Sequence, residues 1–201
     1  MTQKTTEKSD SYDVILEAAT QRILHYGYNK TTMAEIAVDC DMSAGNIYRF
    51  FPSKIHIAEA MTRKWDNLAH EAFKAIIKDS GRSPSGKLTD FFRFKLDRNF
   101  SVCREHPKLG ELVEIMGRER PDYLQEELAQ ERRYIGQILE EGVKSGDFVL
   151  PQDVETTSDL VQCAMFRFQL PFFWDRDSLE VLEQELEGVL GLMFTGLSAR
   201  R

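Results

Sequence analysis

Apolar residues recur along this chain at the three- and four-residue spacing of a helix and almost never at the two-residue spacing of a strand. That period restricts the chain to helix-on-helix packing and an all-α fold of about nine helices. The first helix spans Ser9 to Tyr26 with a stripe of Val14, Ile15, Ala18, Ala19 and Ile23, and Gly27 supplies the stop. Thr32 and Glu35 form a capping box for a second helix ending near Cys40. Ser43 caps a third, to Phe50; Pro52 breaks it and Ser53 caps a fourth, to about Lys78. The Ser- and Gly-rich stretch 80–86 reads as a loop. Five helices follow: about Leu88 to Glu105, Pro107 to Arg118, Pro121 to Gly146, Val154 to Leu170 and Ser178 to Leu197.

At 201 residues the chain holds one domain, or a small module fused to a larger one, and buries a core without staples. Its 26 Lys+Arg face 33 Asp+Glu, a net charge of −7, which excludes a protein coated for nucleic acid or anionic lipid. A local basic face remains open. The longest charge-free run, Gly188 to Ala199, is too short to span a bilayer, and the polar N-terminus shows no signal-peptide pattern. Cys40, Cys103 and Cys163 are odd in number and far apart, which fits buried thiols in a reduced cytoplasmic protein.

Residues 32–51 have the dimensions of a helix-turn-helix, two short helices joined around Asp41 and Met42. In such a unit the N-terminal residues of the second helix meet base edges in the major groove. Here these are Ser43, Ala44, Gly45 and Asn46, then Tyr48 and Arg49. Small residues at 43–45 let the backbone approach closely. Asn46 suits adenine, and Arg49 suits guanine or a phosphate. Ile36, Ala37 and Ile47, with Phe50 and Phe51, have the spacing to pack the helices together. Plain helix packing explains the same spacing. The charge pattern favours DNA: Met42 to Ala58 carries no acid but holds Arg49 and Lys54. A cation such as Lys54 in the first turn of a helix is unfavourable unless an anion meets it, so a phosphate partner is expected.

The run from Ile15 to Lys54 resembles the N-terminal domain of the tetracycline-repressor (TetR) family of bacterial transcription regulators. The matching positions are Ile15, Ala18-Ala19, Gly27-Tyr28, Thr31-Thr32, Ile36-Ala37, Tyr48, Phe51 and Lys54. Three positions depart: Ile23 for Phe, Cys40-Asp41 for Ala-Gly at the turn, and His56 for Glu. The resemblance implies a DNA-binding domain at 9–55, in the family's extent about 9–69, and a ligand-binding and dimerisation domain at 56–201. It implies that Thr32, Tyr48 and Lys54 hold phosphates while Ser43, Ala44, Gly45, Asn46 and Arg49 face the groove. It also implies a ligand-responsive repressor, bound as a homodimer to palindromic double-stranded operator DNA, with recognition helices about 34–36 Å apart.

In the same family the last two helices form the dimer. Their apolar residues here are Val161, Met165, Phe168, Leu182, Leu186, Val189, Leu190 and Met193. Candidates for an effector site are Trp65, Phe92, Phe100, Met116, Tyr123, Phe166 and Trp174, with Asn99, Arg167 and Gln169 as polar anchors. Their apolar, aromatic character suits a hydrophobic or aromatic effector, although such stripes equally form plain core.

Enzyme signatures are missing from the sequence. No histidine follows a carboxylate by three residues, His70-Glu71 lacks a second histidine, and Gly81 to Ser85 fails the GxSxG pattern. No catalytic residue, metal site, cofactor or membrane partner is therefore expected. Two rival classes remain. A helical co-regulator on the same fold predicts no salt-dependent DNA binding, and an all-α enzyme predicts a paired carboxylate or His–carboxylate site inside the bundle.

Overall fold

The computed structural model describes residues 2–174 and 177–198. Their secondary structure is helical apart from one isolated antiparallel bridge between Phe148 and Ser198. The helices are α1 (Thr2–Tyr26), α2 (Met33–Asp39), α3 (Ala44–Tyr48), α4 (Lys54–Lys78), α5 (Pro84–Glu105), α6 (Leu109–Glu119), α7 (Pro121–Ser145), α8 (Val154–Ala164) and α9 (Leu179–Leu197). Gly27 ends α1 at φ +94°, its N–H bonded to the Ile23 carbonyl at 2.9 Å. Asp153 and Ser178 cap α8 and α9 through their side chains.

Three elements differ from the sequence reading by more than three residues. Helix α1 starts at Thr2 rather than Ser9. Helix α5 starts at Pro84 rather than Leu88, because Ser83 Oγ accepts the Gly86 N–H at 3.2 Å and proline fits the first helical turn. Helix α8 ends at Ala164, not Leu170, and two 3-10 turns follow, Phe166–Phe168 and Pro171–Phe173. Pro171 has no N–H and forces the residue before it out of the helical region; Leu170 is extended at φ −116°, ψ 117°.

The chain forms two compact units. One holds residues up to 68 together with 105–124, so α6 and the start of α7 fold with the N-terminal helices. Side chains from these late residues tie down the early ones. Asn29 donates its N–H to Glu111 at 2.8 Å, Lys108 donates to the His25 carbonyl, and Arg120 pairs with Glu59. The core of this unit is Ile15, Ile23, Ile36, Ile47, Ile57 and Met61; Val14, assigned to the buried stripe, is instead exposed.

The second unit holds 69–104 and the residues from 125 on. Phe73, Phe91, Phe92, Ile135, Ile138, Phe168, Leu182 and Leu186 fill its core. Packing is close enough that a Cβ on Gly142 would lie 2.1 Å from the Phe148 ring. Buried Lys87 is satisfied by Glu141 at 2.7 Å and the Ile77 carbonyl at 2.8 Å. The cysteines are free; Cys40 and Cys103 are half-buried, but Cys163 is exposed, contrary to the expectation of buried thiols.

Candidate nucleic-acid interface

Helix α2 is fixed at both ends by its own sequence. Thr32 Oγ1 accepts the Glu35 N–H at 3.3 Å, while Glu35 Oε2 accepts the Thr32 N–H at 2.9 Å, completing the capping box. At the other end Asp41 takes φ +54°. The Met42 N–H then reaches the Ala37 carbonyl at 2.8 Å and the Asp41 N–H reaches Val38 at 3.1 Å, a Schellman closure. Asp substitutes here for the glycine that this backbone favours.

Helix α3 is short and anchored on one side. Ser43 Oγ accepts the Asn46 N–H at 3.3 Å, and Ile47 is fully buried. Phe51 beneath it stacks on Tyr12, ring centroids 4.7 Å apart. The opposite side is open: Ser43, Ala44, Gly45, Tyr48 and Arg49 are exposed. Nothing lies within 4 Å of the Cβ that Gly45 lacks, so the protein itself does not require glycine there. Half-buried Asn46 rests its amide nitrogen 3.4 Å from Met42 Sδ, a weak acceptor that a base edge outcompetes.

Two phosphate candidates are engaged within the protein. Lys54 turns inward: Nζ donates to the carbonyls of Tyr28 and Thr31, both at 2.7 Å, and lies 4.1 Å from the centre of the Tyr28 ring. The cation that looked unfavourable at a helix N-terminus thus finds carbonyl oxygens of the α1–α2 connection. Burial pushes its pKa below the ordinary lysine value. Thr32 is exposed, yet both its donors serve Glu35, the hydroxyl at 2.7 Å and the N–H at 2.9 Å. A phosphate at Thr32 has to displace that carboxylate.

The sequence reading missed Arg22. Its guanidinium grips Asp39 at 2.5 and 2.9 Å and reaches Glu35 at 3.4 Å, pinning both ends of α2 to α1. The hydrogen bond from Arg22 holds the Asp39 carboxyl below its usual range, and bonds from Thr32 do the same for Glu35. Arg22 stands 17 residues from Asp39, and no local spacing rule reaches that far.

The effector candidates divide between the units. Trp65, Met116 and Tyr123 belong to the first; Phe92, Phe100, Phe166 and Trp174 belong to the second. Tyr123 donates its hydroxyl to Asp66 beneath the Arg63 guanidinium, 4.4 Å from its ring centre, and so acts as a packing anchor. Phe92 is core, and Trp174 is buried with its indole N–H on the Arg167 carbonyl at 2.8 Å. Among the polar anchors, Arg167 is spent on Glu185, Asp177 and the Phe173 carbonyl.

The dimer candidates need correction. Val161, Met165, Phe168, Leu182, Leu186 and Leu190 are all buried in the core of a single subunit, with Val189 and Met193 packed against it. The apolar stripe of α9 faces its own chain. Exposed residues on these helices include Leu160, Cys163 and Ala164 on α8, and Val181, Gly188, Gly191, Leu192 and Thr195 on α9.

Comparison with known proteins matches both the N-terminal helices and most of the rest of the chain. Residues 15–61 match the family model for bacterial regulatory proteins of the tetR family. Residues 84–190, more than half of the chain, match the tetracyclin repressor-like C-terminal domain. The chain is similar to YhgD, an uncharacterized HTH-type transcriptional regulator of Bacillus subtilis (strain 168), at 27% identity over 94% of this chain and 98% of the relative. It is also similar to the HTH-type transcriptional repressor KstR2 of Mycolicibacterium smegmatis, at 26% identity over 71% and 70% of the two chains. Its fold matches the crystal structure of Thermus thermophilus FadR, a TetR-family repressor in complex with lauroyl-CoA, with a TM-score of 0.67, 21% identity and 94% and 96% coverage. No helix among the described residues is long and apolar enough to cross a membrane. The chain belongs to the TetR family of bacterial transcriptional regulators.

Proposed function

We propose that this DNA-binding regulator is a ligand-responsive repressor that reads its operator through α3. The observation that carries the reading is the one-sided exposure of that helix. Ile47 fixes it to the core while Ser43, Ala44, Gly45, Tyr48 and Arg49 stand free. Ser43, Ala44 and Gly45 admit the DNA backbone and base edges at close range. Asn46 and Arg49 supply base contacts, and Tyr48 a phosphate contact. Thr32 joins them once Glu35 releases its donors. Lys54 serves the fold that presents these groups.

TetR-family regulators bind operator DNA as dimers. For this chain we assign the dimer face to the exposed side of α8 and α9, with Leu160 and Leu192 as anchors and Gly188 and Gly191 allowing close helix approach. FadR, in complex with lauroyl-CoA, and the ketosteroid transcriptional regulator KstR2 of Mycobacterium tuberculosis bring the effector class: a largely apolar molecule of acyl or steroid type, held in the second unit. Residues 54–68 of α4 belong to the first unit and 69–78 to the second, so α4 is the element through which a ligand changes the spacing of paired recognition helices. The protein works in the cytoplasm, where its DNA is. Titration against the DNA flanking its own gene, at two salt concentrations, tests the reading. Affinity that falls linearly in log–log form with salt and is weakened by Arg49→Ala supports it; no binding at either salt defeats it.

A further inference from the structure

The second unit contains a polar cluster that its core packing does not require. Lys95, 7% exposed, lies on α5 and points its ammonium at Glu131 Oε2 at 2.5 Å and at Gln169 Oε1 at 2.9 Å. Asn99, one turn further, donates its amide to the Gln169 carbonyl at 3.0 Å. Gln169 itself is 7% exposed. A lysine can only donate, so the side-chain amide of Gln169 must turn its oxygen to Lys95. Its Nε2 is thereby aimed elsewhere, fully buried, with no hydrogen-bond partner. A buried donor left in this state costs free energy that a leucine of similar size would avoid, and native proteins keep few of them.

We infer that Gln169 Nε2 is the anchor for the polar end of the effector, and that this end is a neutral hydrogen-bond acceptor such as a ketone, ester or amide oxygen. The inference rests on the effector reading above and narrows its chemistry. The donor demands an acceptor. Lys95 and Glu131 already neutralise each other, so a carboxylate brought to the same place would be a buried charge without a counterion. Aromatic groups lie close to Gln169 in the chain. Trp174 stands five residues on, and its ring lies 5.8 Å from that of Phe100, the neighbour of Asn99 on α5.

The test uses the full-length protein and three probes of similar shape: acetophenone, isopropylbenzene and benzoate. Dissociation constants are read by saturation-transfer NMR, and operator binding is followed in the same samples. Acetophenone should bind at least tenfold more tightly than either of the others. Gln169→Leu should reduce its advantage over isopropylbenzene to less than twofold. Gln169→Met, which keeps the unbranched length of the side chain but has no donor, should remove it as well. The inference is overturned if acetophenone binds no better than isopropylbenzene to the unaltered protein, or if its advantage survives both substitutions. A crystal structure in which Nε2 keeps an ordered water at saturating acetophenone also overturns it. Should acetophenone bind through Gln169 without changing operator affinity, the effector role fails while the anchor stands. Should the operator bind while acetophenone shows no preference, the anchor alone fails.

Discussion

Replacing Lys54 by methionine separates two accounts of the same residue. Each bond from its ammonium to the Tyr28 and Thr31 carbonyls, both 2.7 Å long, is charge-assisted and contributes about 1.5–3 kcal/mol. The Tyr28 ring, 4.1 Å from Nζ, adds roughly 0.5–1 kcal/mol. Releasing the lysine returns about 2 kcal/mol of side-chain entropy. The net loss is about 1.5–5 kcal/mol, which in a chain of this length lowers Tm by roughly 3–20 °C. A phosphate contact predicts a different signature. Each one lost reduces the slope of log affinity against log salt by about 0.9, or about 1.8 for the two lysines of a dimer. Thermal denaturation and operator titration at several salt concentrations, both on Lys54→Met, decide the matter. The structure predicts a lower Tm and an unchanged slope. An unchanged Tm with a slope reduced by about 1.8 would refute the reasoning.

Asp41 holds a left-handed backbone at φ +54°, so Asp41→Gly should raise Tm by a few degrees and Asp41→Val should lower it, as calorimetry would show. Leu192, 77% exposed on α9, should yield a folded monomer as Leu192→Glu in analytical ultracentrifugation, whereas Leu186→Glu, at 1% exposure, should fail to fold. Asp39 and Glu35 titrate below their ordinary values, so their contribution is complete above about pH 4.5 and is lost as pH falls through the lowered native values. The double variant Asp39→Asn, Glu35→Gln should therefore be less stable at neutral pH and show a flatter decline in acid denaturation below pH 4.5.

Local signals carried most of the fold. Thr32 with Glu35, Ser43, Gly27 and Ser178 each mark a boundary through a bond to a residue three or four positions away, and each sits where the spacing placed it. The same logic applied to Ser83-Pro84 predicts a helix start, but the surrounding Ser and Gly read as loop and obscured it. What a single sequence does not encode locally is the partner across space. Periodicity shows that Leu182, Leu186 and Leu190 share a face, not whether another subunit or the same chain covers it. Charge pattern shows that Lys54 wants an acceptor, not that the acceptors are carbonyls 23 and 26 residues earlier. The division between units was hidden for the same reason, since Glu111, Lys108 and Arg120 find partners in the N-terminal helices that no local spacing rule reaches.

The central claim is that the exposed face of α3 reads DNA. The most direct measurement compares unaltered protein with Asn46→Ala and Arg49→Ala on the DNA flanking its gene, at fixed salt, with Tm determined alongside. Each lost base contact is worth about 1–3 kcal/mol per half-site, so affinity for the specific site should fall by tenfold or more. Non-specific affinity should fall little for Asn46→Ala, and both variants should melt as the parent does. Specific affinity unchanged in both variants, with Tm unchanged, would contradict the account.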